Sequence, residues 1–162
     1  MVELGPKQAK VLTVSDGVET GADEDRSGDA LTARLGDEGF EVIERRVVPD
    51  IIDEVSNALS YMAYNFNGLI VTTGGTGFEP RDITPEATRR ILDRTAPGLG
   101  DVMRSAHPMG RLSRAIAGTR GSALIINVAG APKGAVEMLD AVIDVVPVAL
   151  AEMGHRVVDE AR

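Results

Sequence analysis

The chain has 162 residues, a length typical of one domain, and its 43% hydrophobic content is enough for a single buried core. Its net charge of −8 argues against a nucleic-acid-binding surface, which needs a basic face, but permits a divalent cation. Cysteine is absent, which excludes disulfides and thiolate metal sites and favours the reducing cytoplasm. Because the sequence has no apolar run of membrane-spanning length and no signal-peptide core after Met1, we expect a cytoplasmic protein with one domain over residues 1–162.

The first half of the chain alternates short apolar runs with helix-start signals. The predicted elements are strands over residues 10–15, 40–48 and 69–73, a polar loop over 18–26, and helices that begin at Ser27, Pro49 and Thr84. Ser27 and Thr84 are the expected N-caps, because small hydroxyl side chains satisfy the free amide groups of a first helical turn.

The second half continues the same alternation. The predicted elements are a short helix over residues 97–103, an edge strand over 114–120, a buried strand over 122–128, and a final helix that Pro147 kinks or divides. Strands that alternate with helices in one short chain indicate an α/β fold, in which a mostly parallel sheet is covered by helices on both faces.

The stretch Thr73–Gly77 has the character of an anion-binding loop. It follows a buried predicted strand and consists of Thr73, Gly74, Gly75, Thr76 and Gly77. Glycines at a strand end let the chain turn with positive φ and expose amide groups, and threonine hydroxyls add hydrogen-bond donors. Phe78 follows the last glycine, so the loop is not a Walker A motif, and the third glycine of a dinucleotide fingerprint is missing. A tight turn without a ligand is the alternative interpretation.

Three predicted strands end in polar loops, at Ser15-Asp16, Thr73–Gly77 and Asn127–Gly130. Because the carboxyl ends of parallel strands meet at one edge of a sheet, we expect these loops to form one site. Asp82 lies just beyond the glycine loop, and Asp50 follows the second strand, where a helix N-cap is its ordinary role when it is considered alone. Two carboxylates beside a phosphate require a cation, and Mg²⁺ held by Asp50 and Asp82 is the expected one. Such a site suits phosphoryl or nucleotidyl transfer.

These motifs, in this order, resemble the molybdopterin-binding MogA/MoaB family of molybdenum cofactor biosynthesis. The matching segments are Ser15-Asp16, Pro49-Asp50 and residues 72–77, 80–88, 97–100, 112–114 and 118–127. The resemblance implies a three-layer α/β/α sandwich around a mostly parallel sheet, assembled as a homotrimer. It also implies Mg²⁺-dependent adenylylation of molybdopterin by ATP, which gives adenylyl-molybdopterin and pyrophosphate, and hand-over to a molybdenum-inserting enzyme.

The resemblance also implies roles for individual residues. Asp50 and Asp82 are the implied catalytic carboxylates and metal ligands. The implied pterin- and nucleotide-binding residues are Ser15, Asp16, Thr73, Gly74, Gly75, Thr76, Gly77, Gly98, Ser113 and Asn127. One departure follows Asn127, where Ala129 stands in place of the family's usual proline, which frees φ and restores an amide N–H. We expect a somewhat looser turn there and an unchanged fold.

Two alternative functions stand beside the adenylyltransferase. The first is a non-catalytic molybdopterin-binding carrier or assembly protein, and the second is an enzyme that acts on another nucleotide or phosphorylated small molecule. The presence of both Asp50 and Asp82 favours the adenylyltransferase over the carrier, because a pure binding protein gains nothing from two carboxylates beside a phosphate.

Overall fold

A computed structural model describes residues 7–160 of the chain, with side chains described as far as Gly154; the segment 1–6, in which no signal-peptide core is predicted, lies outside the described residues. The strands are β1 (Gln8–Val14), β2 (Glu41–Val48), β3 (Leu69–Thr73), β4 (Arg94–Thr95), β5 (Ala117–Arg120) and β6 (Ala123–Val128). The helices are α1 (Asp16–Glu19), α2 (Arg26–Asp37), α3 (Ile52–Ala63), α4 (Thr84–Ile91), α5 (Pro97–Arg104), α6 (Pro132–Asp140) and α7 (Val146–Glu160), with a 3-10 helix over Pro108–Leu112.

The strands form one mixed sheet in the order β2-β1-β3-β6-β5-β4. Neighbours among β2, β1, β3 and β6 pair parallel, whereas β5 pairs antiparallel with β6 and β4 pairs antiparallel with β5. The register places Thr13 beside Thr73 and Thr73 beside Val128, so the carboxyl ends of β1, β3 and β6 lie level. The prediction of a mostly parallel sheet is confirmed.

Helices cover both faces of this sheet. On one face, α2, α5, α6 and α7 enclose a core that includes Leu31 and Leu139. On the other face, α3 and α4 enclose a core that includes Leu59 and Ile70. Strands β3 and β6 are buried along their whole length, which explains why each begins with an apolar run, over residues 69–71 in β3 and 123–126 in β6. The implied three-layer α/β/α sandwich is therefore confirmed. Within residues 7–160, no helix combines the length and the apolar character that a membrane crossing needs.

Two predictions about the second half have different outcomes. The segment 114–120, predicted as an edge strand, contains β5, but β5 is an inner strand because β4 pairs with its outer side. Strand β4 has no counterpart among the predicted elements, since two residues are too few to show any hydrophobic alternation. The predicted division of the final helix is confirmed, because α6 ends at Asp140 and α7 begins at Val146, one residue before Pro147.

The predicted N-caps at Ser27 and Thr84 are wrong. Asp25 caps α2 by accepting a hydrogen bond from the Gly28 amide at 3.1 Å, so Ser27 lies inside the first turn. Helix α4 begins at Thr84 itself, and the hydroxyl of Thr84 donates to the carbonyl oxygen of Gly74 at 2.8 Å. A tertiary hydrogen bond to the glycine loop thus uses the side chain that the sequence assigns to a local cap.

A buried polar side chain connects the sheet to α4. Asn127, on β6, is fully buried, and its amide nitrogen donates to the hydroxyls of Thr72 at 2.8 Å and Thr88 at 3.0 Å. Its amide oxygen accepts a hydrogen bond from the Ile116 backbone amide at 3.2 Å. This network fixes the spacing of β3, β6 and α4, the elements that carry the glycine loop and its neighbours.

We predict that Asn127→Ala lowers the free energy of unfolding by about 3 kcal/mol, because it leaves buried polar partners without hydrogen bonds. Equilibrium unfolding in urea measures this loss. Asn57→Ala is the matched control, since Asn57 is exposed on α3 and we expect a change within about 0.5 kcal/mol. A loss no larger for Asn127→Ala than for Asn57→Ala would contradict the structural role of Asn127.

Candidate active site

The carboxyl ends of the parallel strands border a cavity of about 400 Å³, the central cleft. Its lining includes Ser15, Asp50, Thr73, Gly74, Gly75 and Asp82. These residues come from separate strand ends and loops, and all are among the site residues predicted from the sequence. The location agrees with the general rule that open α/β sheets bind ligands beyond the carboxyl ends of their strands.

Gly74 and Gly75 occupy positions that require glycine. Their φ angles are +97° and +69°. A Cβ on Gly74 would lie 2.4 Å from the carbonyl oxygen of Val14, and a Cβ on Gly75 would lie 2.4 Å from the hydroxyl of Thr84. Positive φ and close approach together exclude other residue types. The turn also brings the loop close to Asp50, whose Oδ1 is 3.3 Å from the Cβ position of Gly75.

After Gly75, the carbonyl groups of the glycine loop accept hydrogen bonds from other parts of the chain, whereas its amide groups donate none to the described residues. The backbone amide of Arg114 donates to the carbonyl oxygen of Thr76 at 2.8 Å. The side-chain Nε of Arg114 donates to the carbonyl oxygen of Gly77 at 2.7 Å. The guanidinium of Arg114 also pairs with Glu86. Within residues 7–160, the amide groups of Gly75, Thr76 and Gly77 donate no hydrogen bond. Successive free amide groups at a strand end can bind an anion.

Asp16 and Asp50 connect the ends of β1 and β2. The Asp16 amide donates to Asp50 Oδ2 at 3.0 Å, and the Asp50 amide donates to Asp16 Oδ1 at 2.9 Å. Arg81 donates to both carboxylate oxygens of Asp16, at 2.6 and 2.9 Å. The N-cap of α3 is Ile51, which makes no side-chain hydrogen bond, so the interpretation of Asp50 as an N-cap is wrong. The Asp50 carboxylate binds a neighbouring strand end and lines the cleft.

The segment 18–26, predicted as a plain loop, supplies further cleft residues. Its first residues belong to α1, whose N-cap is Ser15, so the loop prediction is wrong at this end. Asp23, Glu24 and Arg26 then line the central cleft. Arg26 brings a cation to a mainly acidic lining, and its only ion pair within the described residues is a 3.6 Å contact with Glu24. The polar composition of the segment is the available signal in the sequence, but no spacing distinguishes these side chains.

The charges in the cleft shift two carboxyl pKa values in opposite directions. Hydrogen bonds from Arg81 hold the pKa of Asp16 below its usual value. Burial raises the pKa of Asp50, and the negative charges of Asp16 and Asp82 raise it further, against the hydrogen bond from the Asp16 amide. A positive charge next to Asp50 would relieve this repulsion.

Asp50 and Asp82 fit the requirements of a hydrated magnesium ion. Both carboxylates line the central cleft, and Mg²⁺ is commonly held by one or two carboxylates together with water and substrate phosphate oxygens. In the described part of the chain, no group of three or more His, Cys, Asp or Glu side chains is placed to hold a metal ion. The protein alone therefore offers a partial ligand set, which phosphate oxygens would complete.

Other predicted site residues lie outside the central cleft. Asn127 is fully buried behind it, and Gly98 is exposed at the start of α5. Ser113 lines a second cavity of about 260 Å³, here named the methionine pocket, whose walls include three methionines, Met103, Met109 and Met138. No pattern in the sequence indicates this pocket, because its residues come from two separate segments of the chain, 103–113 and 129–138.

The turn between β6 and α6 separates the two cavities. Gly130 and Pro132 line the central cleft, whereas Ala129 and Ala131 line the methionine pocket. The carbonyl oxygen of Ala129 accepts a hydrogen bond from the Thr73 hydroxyl at 2.7 Å. We expect this turn to be looser because Ala129 stands in place of a proline, and the hydrogen bond from Thr73 holds it against β3.

A three-layer α/β sandwich with free loop amides and carboxylates at the carboxyl edge of its parallel strands belongs to the class of α/β proteins whose site is suited to anionic ligands. The chain belongs to the MoCF_biosynth family, the probable molybdopterin binding domain, whose model matches residues 10–157. The resemblance to the MogA/MoaB-type family is thereby confirmed.

Individual relatives agree with this assignment. The molybdopterin adenylyltransferase of Helicobacter pylori strain J99 is 40% identical over 144 residues, which cover 85% of this chain and 82% of that protein. That of Escherichia coli K12 is 37% identical over 142 residues, or 83% and 72% of the two chains. The crystal structure of the molybdopterin biosynthesis enzyme MoaB from Thermus thermophilus has a TM-score of 0.86 and 43% identity, with 91% of this chain and 96% of that chain covered. The enzyme class predicted from the sequence, molybdopterin adenylyltransferase, is also the class of the first two relatives.

We predict that Asp50→Asn raises the melting temperature near pH 7. Because the pKa of Asp50 is raised in the folded protein, its contribution to stability falls as pH rises from the usual value of 3.8 through the raised pKa. Asparagine removes the charge and can still accept the hydrogen bond from the Asp16 amide. The gain should therefore shrink as pH is lowered toward 3.8, which thermal unfolding at several pH values measures.

Asp144→Asn is the matched control for this experiment. Asp144 is an exposed aspartate between α6 and α7, and we expect no comparable gain there. A melting temperature of Asp50→Asn at or below that of the unaltered chain near pH 7 would show that the Asp50 charge does not destabilise the fold.

Proposed function

We propose that the chain catalyses the Mg²⁺-dependent adenylylation of molybdopterin by ATP, giving adenylyl-molybdopterin and pyrophosphate. The observation that carries the proposal is the presence, at one sheet edge, of free glycine-loop amides and the cleft carboxylates Asp50 and Asp82. The names of the two adenylyltransferases that match most of the chain support the reaction class.

The proposed reaction joins two anionic substrates. A terminal phosphate oxygen of molybdopterin forms a bond to the α-phosphorus of ATP, and the bond from that phosphorus to the bridging oxygen of pyrophosphate breaks. The amides of Gly75, Thr76 and Gly77 donate hydrogen bonds to phosphate oxygens, which lowers the cost of bringing these charges together. Ser15 contributes a hydroxyl and Arg26 a guanidinium from the central cleft, which Gly75 also lines.

Asp50 and Asp82 hold the magnesium ion in this proposal. When bound, Mg²⁺ neutralises negative charge on the phosphate oxygens. Asp50 Oδ2 accepts the Asp16 amide, which leaves Oδ1 for the cation. Asp16 acts as a positioning residue, since Arg81 occupies both of its carboxylate oxygens and the Asp50 amide donates to one of them.

The proposal extends to the organisation of the protein. We propose that residues 1–162 act as one molybdopterin-binding domain in the cytoplasm, and the family match over residues 10–157 supports a single domain. The resemblance to the MogA/MoaB family supports a homotrimer and the hand-over of the product to a molybdenum-inserting enzyme.

We predict that Asp82→Asn retains the fold and pterin binding but lowers pterin-dependent pyrophosphate release by at least about a hundredfold. Asparagine can still accept the hydrogen bond that Asp82 Oδ2 receives from the Glu79 amide at 2.9 Å, but it brings no charge to a cation. The measurement is pyrophosphate release from ATP and Mg²⁺ under anaerobic conditions, with and without molybdopterin.

The control for this prediction is again Asp144→Asn, which should release pyrophosphate at the rate of the unaltered chain. Full turnover by Asp82→Asn would contradict the role of this carboxylate. If the unaltered chain binds molybdopterin without releasing pyrophosphate, it is a carrier. If it does not bind molybdopterin, its substrate is another nucleotide or phosphorylated molecule.

A further inference from the structure

Glu137, on α6, has a buried carboxylate oxygen without a hydrogen bond. Among the side chains that the structure describes, its Oε2 is the one buried nitrogen or oxygen atom that finds no partner. Its Oε1 is 4.0 Å from the Nζ of Lys133, whose side chain is 87% exposed, and such an exposed pair contributes little stability. The Glu137 side chain is 32% exposed, but its Oε2 atom is buried without a hydrogen bond to the described residues, so folding stability does not explain the position of this oxygen.

Glu137 lines the methionine pocket, which is otherwise mainly apolar. Met103 and Met138 are buried in its wall, and Met109 is exposed at its rim. Methionine side chains adapt to flat rings and make favourable sulfur–aromatic contacts. Pockets for drug-sized ligands measure about 300–1,000 Å³, so a cavity of about 260 Å³ suits one small heterocycle.

The position of the methionine pocket links it to the central cleft. The turn between β6 and α6 contributes Gly130 to the central cleft and its neighbours Ala129 and Ala131 to the methionine pocket. The two cavities therefore adjoin at this turn, so a ligand that carries both a phosphate and a flat ring would have one cavity for each group. Molybdopterin, the substrate in the proposed function, has both of these groups.

We propose that Glu137 recognises the 2-amino-4-oxopyrimidine edge of the pterin ring. Its carboxylate accepts one hydrogen bond from the exocyclic amino group and one from the adjacent ring N–H, a pair of donors that matches two carboxylate oxygens. Because χ3 is broad in glutamate, the plane of the carboxylate can align with these two donors, and Oε2 then gains the partner that it lacks. This inference rests on the proposed function and adds the residue that selects the ring.

Binding of pterin and lumazine tests this role. Lumazine has an oxo group where pterin has the 2-amino group, so it lacks one of the two donors. We expect the unaltered chain to bind pterin about ten- to a hundredfold more tightly than lumazine in a fluorescence titration, the effect of one hydrogen bond to a charged group. Glu137→Gln keeps the shape of the side chain but replaces one acceptor by a donor, and it should lose most of this preference.

Glu152→Gln is the matched control, because Glu152 is exposed on α7, and it should keep the preference. Glu137→Gln should melt close to the unaltered chain, since Oε2 has no hydrogen bond to the described residues to lose and the contact of Oε1 with the exposed Lys133 contributes little stability. Equal binding of pterin and lumazine by the unaltered chain, or an unchanged preference in Glu137→Gln, would overturn the inference.

The guanine base carries the same edge, so guanosine is the third probe. Glu137-dependent binding of guanosine in preference to pterin would support recognition of the edge and contradict the pterin substrate of the proposed function. Adenylyl transfer by the unaltered chain, together with an unchanged preference in Glu137→Gln, would overturn the role of Glu137 alone.

Discussion

The reciprocal hydrogen bonds between Asp16 and Asp50 determine the geometry on which the site depends. Each carboxylate accepts the backbone amide of the other residue, so the ends of β1 and β2 cannot shift apart without breaking both bonds. Arg81 neutralises Asp16, whereas burial and neighbouring carboxylates leave Asp50 with a raised pKa. One charge of the pair is therefore compensated and the other is not. This imbalance beside the glycine loop supports our proposal that Asp50 and Asp82 hold magnesium.

The fold could be predicted wherever hydrophobic burial decides the structure. The strand predicted over residues 69–73 is β3 without a change of boundary, because its apolar run over residues 69–71 is followed by two β-branched threonines and then by glycines. Prediction failed where a tertiary contact replaces a local one. Thr84 has a typical capping side chain, but its hydroxyl binds Gly74. Strand β4 exists because β5 offers it a pairing edge, and two residues carry no pattern of their own.

The site could be predicted as far as strand order determines it. Ser15, Asp50 and Gly74 meet because parallel strands end at the same edge of the sheet. The pairing of Asp16 with Arg81 spans 65 residues and depends on side-chain geometry that spacing does not encode. Sequence reasoning has the same limit at Asn127. Because β6 is buried on both faces, its sequence shows no alternation of polar and apolar residues that would separate a ligand-facing residue from a structural one. The unpaired oxygen of Glu137 became visible only when its surroundings were known.

Transfer of a label from the α-phosphate of ATP to molybdopterin tests the central claim most directly. The unaltered chain would be incubated anaerobically with Mg²⁺, molybdopterin and ATP labelled at the α-phosphorus, and the pterins would then be separated. We expect the label on the pterin in an amount equal to the pyrophosphate released, and none bound to the protein. Molybdopterin that binds the protein while all of the label stays in ATP would contradict adenylyl transfer.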